Sequence, residues 1–176
     1  SDFCGRPIHA RARVLLMPRE DSTLTTRQRL WQITRARGVN HADLVGWLEV
    51  DGTTPLRFDD PALVARFRRC LARFDVAFID SLSTIHAGDE NTARDMTVTM
   101  DAWRDLSLGT DTSIVVVHHL RKPGESGGGG MTRGRMLQRA RGSSLIGATA
   151  RHAVFVSDGP DHDQIRIDVE GNHPHQ

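Results

Sequence analysis

Two cysteines, Cys4 and Cys70, are all the chain contains, far apart and in no C-x-x-C pair. That scarcity argues against a disulfide framework and a thiolate zinc site, and it suits a reducing, cytoplasmic setting. No apolar run approaches the roughly 20 residues a membrane-spanning helix needs, and no secretory leader opens the sequence, so no membrane partner is expected. Charge of one sign is also scarce. A net charge of +1 creates no global field toward nucleic acid and leaves any such attraction to local clusters. Internal repeats are lacking too. The opening Ser1-Asp2-Phe3 has no initiator Met, as expected of a chain cut or processed at its start.

What is present fits one soluble domain with a sizeable core: 176 residues, 38% hydrophobic and 26% charged. Short apolar runs at 14–17, 76–79 and 113–117 predict buried strands, and 47–50 predicts a shorter one before an Asp51-Gly52 turn. Helices are expected over 24–37, 61–73 and 92–106. Spacing puts Leu24, Leu30, Trp31 and Thr34 near one face of the first. It puts Leu63, Val64, Phe67, Cys70, Leu71 and Phe74 on the buried face of the second, capped by Asp59 or Asp60 ahead of Pro61. The third turns Ala93, Met96, Met100 and Trp103 toward the core. From 121 to 141 periodicity vanishes around four consecutive glycines, which marks a flexible loop. A short helix at 143–148, a strand at 153–156 and an alternating strand through Ile165, Ile167 and Val169 complete the chain. The predicted fold class is α/β, a mostly parallel sheet flanked by helices and ending in an antiparallel hairpin.

Several of these elements end in reactive side chains. Asp80 closes the strand at 76–79, the edge where parallel sheets place ligands, and a carboxylate there either holds a hydrated Mg²⁺ or caps a turn. Glu20-Asp21 follows the strand at 14–17. A glutamate there orients or deprotonates water, or else the pair complements the dipole of the next helix. His118-His119 ends a four-residue apolar run, where two polar rings are costly unless paired or placed at a site. The glycine-rich loop carries Arg121, Lys122, Arg133, Arg135, Arg139 and Arg141 against one acid, Glu125. Such a loop either tracks a phosphodiester backbone without base selectivity, since it has no aromatic residue for stacking, or is a solvated surface. Arg141 and Arg151 are each candidates to reach a neighbour's nucleotide.

One further element is missing: the chain has no G-x-x-x-x-G-K-[ST] phosphate loop. Taken in order, its stretches nevertheless resemble the RecA-like ATPase domain of the plasmid RepA type and of the hexameric replicative helicases. The matching residues are Phe3-Cys4-Gly5-Arg6-Pro7, Val14-Leu15-Leu16-Met17-Pro18-Arg19-Glu20-Asp21 and Phe78-Ile79-Asp80-Ser81. They continue through Gly88-Asp89-Glu90-Asn91, Val117-His118-His119-Leu120-Arg121-Lys122-Pro123 and Arg141-Gly142-Ser143-Ser144, over nearly the whole chain.

The resemblance implies ATP and Mg²⁺ as cofactors, and single-stranded DNA and a homo-hexameric ring as partners. It makes Glu20 the water-activating glutamate with Asp21 beside it, Asp80 the Walker B aspartate, and His119 the histidine that reports the γ-phosphate. Arg151 matches the arginine finger. Ser81, His118 and Lys122 fall beside the nucleotide, and the arginines of the glycine-rich loop face DNA in a central channel. In that family the phosphate loop lies one helix before the segment resembling Phe3 to Pro7, so the chain by itself is expected to bind ATP poorly and hydrolyse none. The family's central strand would fall between 113–117 and 153–157, so a gap or an altered pairing is expected there. Two other readings stand beside this one. One is a metal-dependent hydrolase using Asp80, His118, His119 and His152 or His173; the other is a non-catalytic nucleic-acid-binding remnant that keeps the basic loop.

Overall fold

The computed structural model describes residues 2–3, 6–58, 60–85, 93–119, 145–161 and 163–171. Two compact units make up the chain: Ser1–Ala87 with Ala102–Val117, and Gly88–Asp101 with His118–Gln176.

The first unit opens with a two-residue antiparallel pair, β1 (Asp2–Phe3) and β2 (Arg6–Pro7), which the sequence did not signal. Its centre is a parallel sheet of β3 (Val14–Pro18), β4 (Leu48–Val50), β5 (Val76–Asp80) and β6 (Ser113–Val117), in the order β4-β3-β5-β6. The register aligns Pro18 with Asp80 and Asp80 with Val117, so β3, β5 and β6 end level with one another. Apolar runs suggested strands buried on both faces. Instead, burial alternates: Leu15, Met17, Ala77 and Ile79 are fully buried, while Phe78, Val115 and Val117 are exposed. A period of two along each strand sends one set of side chains into the core and leaves the other set outside it.

Helix α2 (Pro61–Leu71) covers the buried face. Its start is set by Asp60, whose carboxylate accepts from Ala62 N at 2.9 Å and Leu63 N at 3.2 Å, with Pro61 in the first turn where its missing N–H costs nothing. Phe67 and Leu71 are buried on its inner stripe. Thr112, itself buried, donates from Oγ1 to the carbonyls of Leu71 and Phe74, both at 3.0 Å, and ties the end of α2 to the start of β6. At the amino ends of the strands, Asp75 accepts from the backbone N–H of Arg13 at 2.6 Å and pairs with its guanidinium at 3.1 Å. That contact holds the Asp75 carboxyl below its ordinary range. Helix α3 (Ala93–Thr110) passes from the second unit into the first, where Trp103 meets Phe58 and Phe67 edge-on. Met96, Met100 and Trp103 are buried, as their helical spacing predicts.

Helix α1 (Thr23–Ala36) meets expectation at Leu30 and Thr34 and departs from it at Leu24 and Trp31. Its buried residues are Thr26 and Thr34, with Leu30 half-buried between them, whereas Leu24 is 67% and Trp31 50% exposed. The two threonines are cheap to bury because the helix satisfies their hydroxyls: Thr26 donates to Ser22 O at 3.2 Å and Thr34 to Leu30 O at 2.9 Å. A 3-10 turn at His41–Leu44, capped by Asn40, then leads into β4.

In the second unit, helix α4 (Leu145–Thr149) precedes a hairpin of β7 (His152–Asp158) and β8 (Ile165–Gly171), paired antiparallel from His152↔Gly171 to Asp158↔Ile165. Among the described residues β6 pairs only with β5, and β7 only with β8, so the strands at 113–117 and 153–157 stand in separate sheets. No helix among the described residues is long and apolar enough to cross a membrane.

Candidate active site

The level carboxyl ends of β3 and β5 bring Glu20 and Asp80 to one rim. The loop leaving β3 folds over the end of β5, and the backbone N–H groups of Arg19 and Glu20 both reach Asp80 O, the latter at 3.2 Å. Glu20 is thereby fixed above the last residue of the neighbouring strand. Its carboxylate then turns to Ser81: the buried Ser81 hydroxyl donates to Glu20 Oε1. Ser83 joins both, 2.7 Å from Ser81 Oγ and donating to Glu20 Oε1 at 3.4 Å. Ser81 sits at the start of the 3-10 turn Leu82–Thr84, which its side chain does not cap. The hydroxyl is therefore committed to the carboxylate. The Asp80–Ser81 peptide bond is cis.

A second tether holds the same loop from the other side. Asp51, just after β4, accepts from Thr53 N at 2.8 Å, Thr53 Oγ1 at 3.0 Å and Thr54 N at 3.0 Å. Partial burial works against its charge, but the hydrogen bonds from Thr54 and Thr53 together outweigh it and bring the carboxyl down to about 2. The Thr54 carbonyl, set in place by that turn, accepts from Arg19 Nη1 at 2.6 Å. Arg19 thus anchors away from the rim and leaves Glu20 to face it.

The acids after β3 do not serve the dipole of α1. Ser22 caps the helix through Thr25 N at 3.1 Å, and its first turn carries no acid. Asp21 is instead ion-paired with Arg29 along the helix. Glu20 is exposed to solvent.

The remaining sequence candidates lie elsewhere. His118 (half-buried) and His119 (exposed) directly follow β6 in the chain and belong to the second unit, as does the exposed Arg151 just before β7. Arg121, Lys122, Arg133, Arg135, Arg139 and Arg141 lie outside the described residues, as does His173. Sequence reasoning missed Ser83.

The donors at the rim are carboxylate and hydroxyl oxygens. Such hard donors fit Mg²⁺, which keeps several waters and takes one or two carboxylates together with substrate phosphates. Among the described residues no three His, Cys, Asp or Glu side chains gather to cage a metal, so the histidine-based hydrolase reading gains no support.

The site is thus a parallel α/β sheet with Asp80 at one strand end and Glu20 held over it from the adjacent strand. The chain belongs to the AAA domain family, whose profile matches residues 1–125. Among solved structures it is similar to the RadB recombinase, with a TM-score of 0.62 and 12% identity over 93% of this chain and 70% of that one. It is also similar to the flagellar accessory protein FlaH from Methanocaldococcus jannaschii, with a TM-score of 0.50 and 14% identity over 92% of this chain and 66% of that one. At those identities the likeness shows a shared α/β fold, a parallel sheet flanked by helices with an antiparallel hairpin. No curated protein matches the chain.

Proposed function

We propose that the chain supplies the water-activating and metal-holding half of an ATP-hydrolysing RecA-like motor domain. The observation that carries this reading is Glu20 held over Asp80 at one strand rim, with its carboxylate fastened by Ser81. Glu20 orients the attacking water and takes its proton, while Ser81 and Ser83 keep the carboxylate in one position. Asp80 would hold Mg²⁺, which would supply charge neutralisation at the phosphates. By the sequence resemblance alone, His119 takes the role of reading the terminal phosphate and Ser81, His118 and Lys122 those of nucleotide-binding residues, while Asp21 steadies its loop through Arg29. Arg151 completes the site of a neighbouring subunit. The 176 residues contain no phosphate-cradling G-x-x-x-x-G-K-[ST] loop.

The finer reading is a hexameric helicase-type motor on single-stranded DNA. It rests on the basic composition of the loop that carries Arg121, Arg133, Arg135, Arg139 and Arg141, and on the sequence resemblance. The test is ATP turnover by the intact protein with and without a single-stranded oligonucleotide. Glu20→Gln and Asp80→Asn are each expected to lower kcat by roughly a hundredfold or more, as loss of a general base or a metal carboxylate does. Turnover untouched by both substitutions would overturn the assignment. DNA binding that ignores nucleotide and survives both would favour the non-catalytic remnant.

A further inference from the structure

The exposed stripe of α1 forms one wall of an open trough that no part of the proposed hydrolysis uses. The trough holds about 880 Å³ and is walled by Arg27 and Trp31 from the helix and Leu44 and Val45 from the turn that follows, with Leu30 and Leu48 also lining it. Arg27 and Trp31 line it from one helical stripe, which Leu24 and Arg35 continue beyond it at either end. Large apolar groups there face water: Trp31 is half exposed and Val45 is 79% exposed. The volume falls within the roughly 300–1,000 Å³ typical of ligand clefts, and the 14-residue helix is about 21 Å long, enough to carry several side-chain contacts.

Charge identifies the occupant. Helix α1 carries Arg27, Arg29 and Arg35 with Arg37 at its end, and no acid anywhere along it. Arg29 is occupied by Asp21, but Arg27, Arg35 and Arg37 meet no carboxylate among the described residues. The Arg35 guanidinium lies over the Trp31 ring, 5.1 Å from its centroid, which keeps a cation beside the apolar wall. Trp and Arg presented together around a desolvatable hollow are the residue types that dominate binding energy at protein interfaces.

We infer that this trough docks an acidic amphipathic segment of a partner protein. Its bulky apolar side chains enter between Trp31, Leu44 and Val45, and its carboxylates meet Arg27, Arg35 and Arg37. Nucleic acid fits less well. Leu30, Leu44, Val45 and Leu48 supply much of the lining, Arg35 lies over the Trp31 ring, and sequence-blind strand binding relies on successive open stacking platforms. The inference is independent of whether the chain hydrolyses ATP.

The test selects random 16-residue peptides displayed on phage against the 176-residue chain, then measures the enriched peptides by fluorescence anisotropy. The expected sequences place large apolar residues at helical spacing among Asp and Glu. Affinity should fall about tenfold or more on the double variant R27E/R35E and on Val45→Glu, as removal of matched charge or an apolar contact does at an interface. All three substituted residues are exposed, so the variants keep the parent's melting temperature and circular dichroism. Failure to enrich acidic sequences, or equal binding to either variant, overturns the inference. So does a labelled (dT)20 oligonucleotide whose binding is lost in both variants, because it assigns the trough to nucleic acid.

Discussion

Ser81 and Glu20, 61 residues apart in the chain, are joined by a hydrogen bond from the serine hydroxyl to the carboxylate. The contact exists because β3 and β5 are neighbours in exact parallel register through Pro18 and Asp80, which stacks the residues that follow them. A buried hydroxyl with one carboxylate to serve holds it in place, and a general base works only within hydrogen-bond reach of its water.

Removing that tether should disturb chemistry more than binding. Ser81→Ala in the intact protein is expected to lower kcat for ATP about tenfold while KM stays within about twofold, the pattern of a lost transition-state interaction. Ser83→Ala, whose contact with Glu20 is 3.4 Å, should have a smaller effect. Steady-state kinetics at saturating and limiting ATP separate the two constants. Equal losses in nucleotide affinity and turnover would place Ser81 in binding instead.

Thr112 is a test of the scaffold behind the rim. Its buried hydroxyl serves the carbonyls of Leu71 and Phe74, so Thr112→Val keeps the shape but leaves polar groups short of a donor. The expected cost is about 1–3 kcal/mol, read from urea unfolding of the chain.

Core packing should cost more. Ile79 is fully buried one residue before Asp80, and Ile79→Ala is expected to destabilise the chain by about 2–5 kcal/mol. The same urea titration checks it, and a loss below about 1 kcal/mol would contradict a close-packed sheet face.

Asp51 gives a pH dependence. Its folded value of about 2 lies below the ordinary 3.8, so its contribution to stability is complete above about pH 4 and is lost as pH falls toward about 2. Asp51→Asn should lower stability at neutral pH and flatten the stability profile between those limits. Because the group is largely solvated, the difference is expected to be about 1 kcal/mol or less. Thermal melts of both proteins from pH 2 to pH 6 measure it.

Much of the architecture was legible from local pattern. The apolar runs became β3, β5 and β6, Asp60 and Pro61 started α2 where capping chemistry requires, and the alternating Ile165, Ile167 and Val169 became β8. Helix α1 was legible in extent but only in part in orientation. Periodicity grouped Leu24, Leu30, Trp31 and Thr34 near one face; of these Thr34 is buried and Leu30 half-buried, while Leu24 and Trp31 stay exposed. Thr26, its hydroxyl satisfied on the helix itself, is buried as well. The 3-10 turn at Leu82–Thr84 and the role of Ser83 were not legible, because each depends on which strand lies next to β5.

The residue order determined the elements themselves: where the main strands and helices lie, that Asp80 closes one apolar run, and that Glu20 follows another. Strand spacing and capping are local properties, set by side chains within a few residues of one another. Only the folded chain decided that β3 and β5 lie side by side, that Asp21 turns to Arg29 while Glu20 turns to Ser81, and that an arginine-rich helix leaves a tryptophan in water. Those outcomes come from long-range pairing of backbone groups and competition for buried space, which no short window of sequence contains.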